Sequence, residues 1–360
     1  FMLADEVARI GELEAQFGFV KNSAADLASV PKGLAGITKA HSAVNATPWA
    51  FISLALAMMM GTASLPHVMM RYFTTPSVKA ARKSVGWSLF FIFLLYSSAP
   101  MLATLSKLSL IDPTLSTGII GKSFAEVQSI DWYQNWNQAN LMFISDFNGN
   151  GTLELNEFFM GGKAVVLATP EIAGLPYVIS GLVAAGGMAA AMSTADGLIL
   201  AIANAISHDV YYKMIDPKAE TAKRLLVARI LLVVIGFAGA TIAAMQIQGI
   251  LGSVIWAFDF AMSGLFFPLV LGVWWKRANR EGAIAGMALG LGSAIWYLIW
   301  VRTGGSGFLG ITQLTFGIFG AAVSLVAMVV VSLMTQEPDK ATQKMVDEVR
   351  VPSGRTVTGK

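Results

Sequence analysis

The sequence predicts an all-α membrane protein of about seven spanning helices, and three observations carry that expectation. Of the 360 residues, 55% are apolar and only 13% are charged, where a soluble domain carries about a quarter charged residues. The apolar residues come in runs of roughly the 20 residues that a helix needs to cross a bilayer. The connections between these runs alternate between rich and poor in Lys and Arg. The basic excess falls mostly in those connections and in the tail, so it speaks of membrane topology and not of nucleic acid. There is no Cys, which excludes disulfides and cysteine metal centres.

Residues 1–47 are expected on the outer side of the membrane. They open on Phe1-Met2-Leu3-Ala4-Asp5 with no cleavable signal peptide, which reads as the interior of a longer protein. Met2 to Phe17 has the spacing of an amphipathic surface helix. The membrane domain occupies residues 48–335, with spans expected at Pro48–Met70, Ser84–Leu105, Leu175–Ser207, Leu225–Ile247, Ile250–Trp275, Gly282–Val301 and Ile311–Thr335. Basic clusters follow the first, third and fifth spans (Arg71, Lys79, Arg82, Lys83; Lys213, Lys218, Lys223, Arg224; Lys276, Arg277, Arg280) and recur in the tail. The positive-inside rule puts these regions in the cytoplasm and the loop 106–174 outside. Trp274, Trp275, Trp296, Tyr297 and Trp300 are candidate interfacial anchors, or plain lipid-facing aromatics. Residues 336–360 form a polar cytoplasmic tail whose end, Val351 to Lys360, is expected to be disordered.

Within the first span, Gly61 and Pro66 lie five residues apart. Proline lacks a backbone donor and clashes with the preceding turn, so a break is expected here. Non-helical backbone at membrane depth is tolerated where it lines a protein cavity. Thr62, Ser64 and His67 would then offer donors to a solute, although a packing histidine is an equally good reading of His67. Arg71 reads first as a marker of the cytoplasmic end and second as an anion partner.

The third span holds Ala189-Ala190-Ala191-Met192-Ser193-Thr194-Ala195-Asp196 near its middle. Polar groups at that depth are costly and mark pathways or sites. Hydroxyls beside a run of small residues suit a desolvated cation, which points to transport. Asp196 is a candidate to support that cation without touching it, to take a proton, or to pair with another helix. Asp259, in the fifth span ahead of Pro268, is a candidate gate or cavity residue.

The outer loop carries a motif of another kind. Asp146, Asn148 and Asn150 fall at positions 1, 3 and 5 of an EF-hand-like loop, 146–157. Gly151 follows at position 6, the Thr152 carbonyl at 7, Glu154 at 9 and Glu157 at 12. That spacing surrounds calcium with oxygen ligands, and the low ligand charge implies a Kd of about 10⁻⁴ to 10⁻³ M. Helical flanks are expected at Ala139 to Ile144 and Glu157 to Met160. A metal-free Gly/Asn-rich turn is the alternative.

Three stretches resemble the sodium:solute symporters, and within them the cation/acetate symporter-like branch. They are Gly61-Thr-Ala-Ser-Leu-Pro66-His67 with Arg71-Tyr-Phe-Thr, Lys79-Ala-Ala-Arg-Lys-Ser84, and Ala189 to Asp196 ending in Ala205-Ile-Ser-His208-Asp209-Val-Tyr. The resemblance implies the LeuT-type inverted-repeat fold, with this chain holding the second repeat and the C-terminal helices of a longer transporter in a bacterial plasma membrane. It implies a sodium site formed by the Ala190 carbonyl and the Ser193 and Thr194 hydroxyls, completed by a helix of the missing first repeat. The implied activity is sodium-coupled symport of a small organic solute, a short monocarboxylate such as acetate first. Amino-acid, sugar or proton-coupled symport remains open, as does a transporter-like sensor. The tail is too short for a signalling domain, and no nucleophile elbow, phosphate loop or clustered metal motif suggests an enzyme.

Overall fold

The computed structural model describes residues 48–350 except 147, 156, 162, 163, 246 and 248. The expected amphipathic helix at Met2 to Phe17, the outer segment 1–47 and the disordered end Val351 to Lys360 lie outside the described residues. Six helices are long and apolar enough to cross a membrane, or seven spans if one bent pair is counted as one. The chain is a mostly helical, multi-pass membrane protein.

The first span is that bent pair. Helix α1 (Pro48–Ser64) is followed by α2 (Pro66–Met69) and a 3-10 turn, Met70–Thr74. The two parts meet at 49°. Leu65 is extended (φ −69°, ψ 119°) and Pro66 starts the second helix. Proline disfavours the helical region for the residue before it and is tolerated at a first helical position, where its missing N–H is not needed. The next spans are α3 (Val78–Ile111), then α7 (Tyr177–Asn204) with a π-helical continuation Ala205–Ile215, then α8 (Thr221–Ala244). The fifth is composite: α9 (Ile250–Ala261), a π segment Met262–Phe266, and α10 (Phe267–Trp274) with Pro268 in its first turn. Spans α11 (Arg280–Arg302) and α12 (Gly317–Met334) follow.

Contacts divide the chain into two units, one holding residues 85–192 and the other residues 48–84 with 193–350 among those described. In the first, the segment between α3 and α7, expected as a long loop, is a small folded body. It contains α4 (Phe124–Gln128), α5 (Asp131–Gln138), strands β1 (Met142–Ile144) and β2 (Phe158–Met160), and α6 (Val165–Ile172). Its core includes Leu110, Ile120, Val127, Met142, Leu153 and Phe158. Trp136 Nε1 donates to Glu171 across 3.0 Å and ties α5 to α6.

The helical flanks expected around the 146–157 loop are strands. Met142, Phe143 and Ile144 pair antiparallel with Met160, Phe159 and Phe158. Phe143 stacks on Phe159 with ring centroids 4.6 Å apart. Aromatic and β-branched side chains suit cross-strand pairs, so Leu141 to Ile144 and Phe158 to Met160 close a hairpin where a helix–loop–helix was expected.

In the second unit, small residues set the packing. Gly282, Gly286 and Gly290 on α11 face Ser332, Met328 and Ser324 on α12. A Cβ at Gly290 would meet the Ser263 carbonyl oxygen and lie 2.6 Å from Ser324 Cβ. Gly61 of α1 rests on α9, where a Cβ would lie 2.7 Å from the Phe258 carbonyl oxygen. Small residues in membrane helices let backbones approach in this way. Tyr297 departs from its anchor reading: it is fully buried, donates to Ile311 O at 3.1 Å and accepts from Phe308 N at 2.8 Å. Trp274, Trp296 and Trp300 are exposed as an anchor requires. The tail forms a further helix, α13 (Lys340–Arg350), held by a Lys276–Asp347 ion pair of 2.7 Å and by Arg350 over the Trp274 ring.

Thermal unfolding tests the close packing of α11. Gly290→Ala should destabilise by about 1–3 kcal/mol through overpacking. Gly292→Ala should be neutral, because nothing lies within 4 Å of the position its Cβ would take.

Candidate functional site

The break at Leu65–Pro66 turns α2 so that His67 and Arg71 lie against α7. A Cβ on Gly197 would stand 3.8 Å from His67 Cβ and 3.6 Å from Arg71 Nη2. His67 is half-buried, and its Nδ1 is buried without a hydrogen-bond partner among the described residues. Ser193 and Thr194 sit about one turn before Gly197 on the same helix, with Asp196 between them and the glycine. The broken first span therefore borders the hydroxyl-bearing turn of the third.

Ala190, Ser193 and Thr194 have the i, i+3, i+4 spacing that places them on one helix face. All three are exposed, as is Asp196. Neutral oxygens are of the kind that a hard cation prefers as ligands. A complete shell needs oxygens from elsewhere.

Thr62 and Ser64 have a competing use for their protons. Thr62 Oγ1 donates to Met58 O at 2.6 Å, and Ser64 Oγ to Met60 O and Gly61 O, each at 2.9 Å. These bonds serve carbonyls in the turn that the proline interrupts. The two hydroxyls are thus engaged as donors to their own helix. Ser64 is fully buried and Thr62 exposed. Among the described residues, His67 and Arg71 are further side-chain donors beside the break.

Asp259 lies on α9, fully buried, with both carboxylate oxygens lacking hydrogen-bond partners among the described residues. It joins neither the α2–α7 contact nor an ion pair of the kind a gate would need. The sequence marked it as an intramembrane charge, but its isolation is a property of packing and has no sequence signal.

The outer loop holds its polar residues in a tight self-bonded arrangement. Asp146 accepts from the backbone N–H of Gly149 at 2.7 Å and of Gly151 at 3.0 Å. Asn150 Oδ1 accepts from Thr152 N at 2.7 Å, and the side-chain amides of Asn148 and Asn150 both donate to Glu154 Oε1. Gly151 has φ +71°, the left-handed conformation that the sixth position of such a loop demands. Glu157 is fully buried and accepts from Glu154 N at 3.0 Å. Among the described residues no group of three His, Cys, Asp or Glu side chains is placed to hold a metal. Calcium here would need the Asp146 and Glu157 carboxylates to give up their present bonds to backbone N–H groups.

Comparison with known proteins fits this geometry. Residues 163–290 match the sequence profile of the Sodium:solute symporter family. An uncharacterized symporter of Cupriavidus necator is 42% identical over 310 residues, which cover 83% of this chain and 44% of that protein. A monocarboxylic acid transporter of Corynebacterium glutamicum is 28% identical over 257 residues, 71% of this chain and 39% of that protein. The chain thus spans less than half the length of the curated relatives it matches. Both relatives are named as carriers and neither as an enzyme.

The α2–α7 contact is open to a direct test, because the chain has no native Cys. The 3.8 Å between Cβ positions at 67 and 197 equals the mean spacing in a disulfide. The pair His67→Cys, Gly197→Cys should cross-link under mild oxidation in native membranes. His67→Cys with Gly239→Cys should not, since nothing approaches within 4 Å of a Cβ at Gly239.

Proposed function

This chain carries a segment of the sodium:solute symporter family, and from that premise we propose that it is part of a secondary transporter that couples downhill sodium entry to import of a short monocarboxylate, acetate first. The observation that carries the reading is the contact of the broken first span with the third span at Gly197, next to Ser193 and Thr194. Ion and solute would meet there, so that filling one site favours the other.

Each residue has a role in this reading. The Ala190 carbonyl and the Ser193 and Thr194 hydroxyls replace part of the water around sodium. Neutral ligands leave the ion's charge uncompensated, so membrane potential acts on it with about 2.3 kcal/mol per 100 mV. Asp196, two residues past Thr194, stands behind the hydroxyls without touching the ion. His67 and Arg71 supply the donors for a carboxylate, and Thr62 and Ser64 line the break. The remaining ion ligands would come from a first repeat outside these 360 residues, as the LeuT-type architecture requires. A carboxylate solute is favoured over a sugar or amino acid by the Arg71 cation beside His67 at the break and by the name of the Corynebacterium relative.

The outer loop supports a second, separate reading. Position-one bonding by Asp146, the left-handed Gly151 and the buried Glu157 favour a weak calcium site that orders the outer body. Titration calorimetry with calcium should give heat at millimolar concentration that Glu157→Gln removes. A silent titration would leave the loop as a self-bonded turn.

Isotope uptake into vesicles carrying the full-length transporter tests the main reading. Sodium should lower the KM for acetate by on the order of tenfold, a common size for site-to-site coupling. The double variant Ser193→Ala, Thr194→Ala should abolish that effect. Unchanged sodium dependence in the double variant would refute the assignment.

A further inference from the structure

Asp259 is buried in the bilayer-spanning part of the chain, where the backbone N–H of Gly317 at the start of α12 faces its carboxylate without closing a hydrogen bond. None of its surface is exposed, and neither carboxylate oxygen has a hydrogen-bond partner among the described residues. Among the described residues, the elements packed on α9 offer no side chain of opposite charge beside Asp259. Helices α1 and α12 carry no titratable side chain, nor do the π segment Met262–Phe266 and α10. On α11, Tyr297 spends its hydroxyl on Ile311 O and Phe308 N, and Arg302 lies 5.1 Å over the Trp256 ring. Arg280 and Glu281 stand at the opposite end of that helix.

The surroundings also decide what can bind. Gly317, the first residue of α12, presses on the carboxylate so closely that a Cβ there would lie 2.6 Å from Asp259 Oδ1 and 2.7 Å from Met262 Cε. The nearby Ser263 hydroxyl is turned away, donating to Asp259 O at 2.7 Å and to Gly317 O at 3.2 Å. A metal cation needs a shell of several oxygens, and the oxygens near this carboxylate, Ser263 Oγ and the Asp259 and Gly317 carbonyls, are engaged with one another. A proton needs only the carboxylate. An isolated carboxylate in an apolar interior costs far more than its neighbours can return, and such a group neutralises itself.

We propose that Asp259 is a proton-binding site within the membrane, which exchanges its proton with water when the π-helical segment Met262–Phe266 bends. Hydronium gives a proton to one carboxylate oxygen on binding, and water takes it back on release, with no change of oxidation state. π-Helical turns inside longer helices often mark functional sites, and this one begins three residues after Asp259. The site is separate from the cation ligands assigned to α7 and does not depend on them.

Infrared difference spectra of the purified chain in lipid nanodiscs, recorded as pH is stepped, test the proposal without any transport assay. Wild type should show the carbonyl stretch of a protonated carboxylic acid that grows and fades with pH. Asp259→Asn should lose that band, and Asp259→Glu should keep one at a shifted position. Sodium added at constant pH should leave it unchanged. A band that survives in Asp259→Asn, one that pH never alters, its absence from Asp259→Glu, or its displacement by sodium would each overturn the proposal. Loss of sodium-driven uptake in the Ser193, Thr194 variant bears on α7 alone and leaves this result untouched.

Discussion

The geometry on which the candidate site depends starts from one missing backbone N–H, that of Pro66. Because proline cannot donate and disfavours a helical residue before it, Leu65 is extended and the first span bends by 49°. The bend delivers His67 and Arg71 to Gly197 on the third span. Freed carbonyls at membrane depth are expensive unless bonded, and the Ser64 hydroxyl meets that need from within the helix. A break, a local repair and a pair of relocated donors therefore form one structural device. Straightening the span would disperse all of them.

Such a device needs a rigid base. Gly61 anchors the first span on α9 at Phe258, and Gly290, Gly317 and Gly320 bring α11, α12 and the π segment into backbone contact. In a bilayer little hydrophobic force holds helices together, so close van der Waals approach does most of that work. This close packing also isolates Asp259. The small residues that let α12 approach leave no room for water or a counter-ion beside the carboxylate. Stability and a buried ionisable group thus arise from one arrangement.

Much of this was legible in the sequence. Apolar run length located every span but not every end, since the third runs on to Ile215 where Ser207 was expected, and Gly61 with Pro66 announced the bend, because both signals act locally. The outer body was less legible. Leu141 to Ile144 and Phe158 to Met160 are short apolar runs that fit helix or strand equally, and only their mutual pairing decides between them. Tyr297 read as an anchor because aromatics near a span end usually face lipid. Its burial depends on the return of Phe308 and Ile311 to its hydroxyl. Helix α13 was missed because a polar run with few apolar residues reads as tail until Trp274 and Lys276 appear beside it. The isolation of Asp259 was invisible for the same reason: it is set by glycines far away in sequence.

The central claim is that a cation and a carboxylate occupy adjoining positions at the contact of the first and third spans, each favouring the other. Thermodynamic linkage makes that claim sharp, since a solute that tightens sodium binding must be tightened by sodium to the same degree. The most direct measurement is equilibrium binding of isotopic sodium to the purified full-length transporter, with and without saturating acetate. The account predicts that acetate strengthens sodium binding by the factor by which sodium strengthens acetate binding. Sodium affinity that is indifferent to acetate would contradict it.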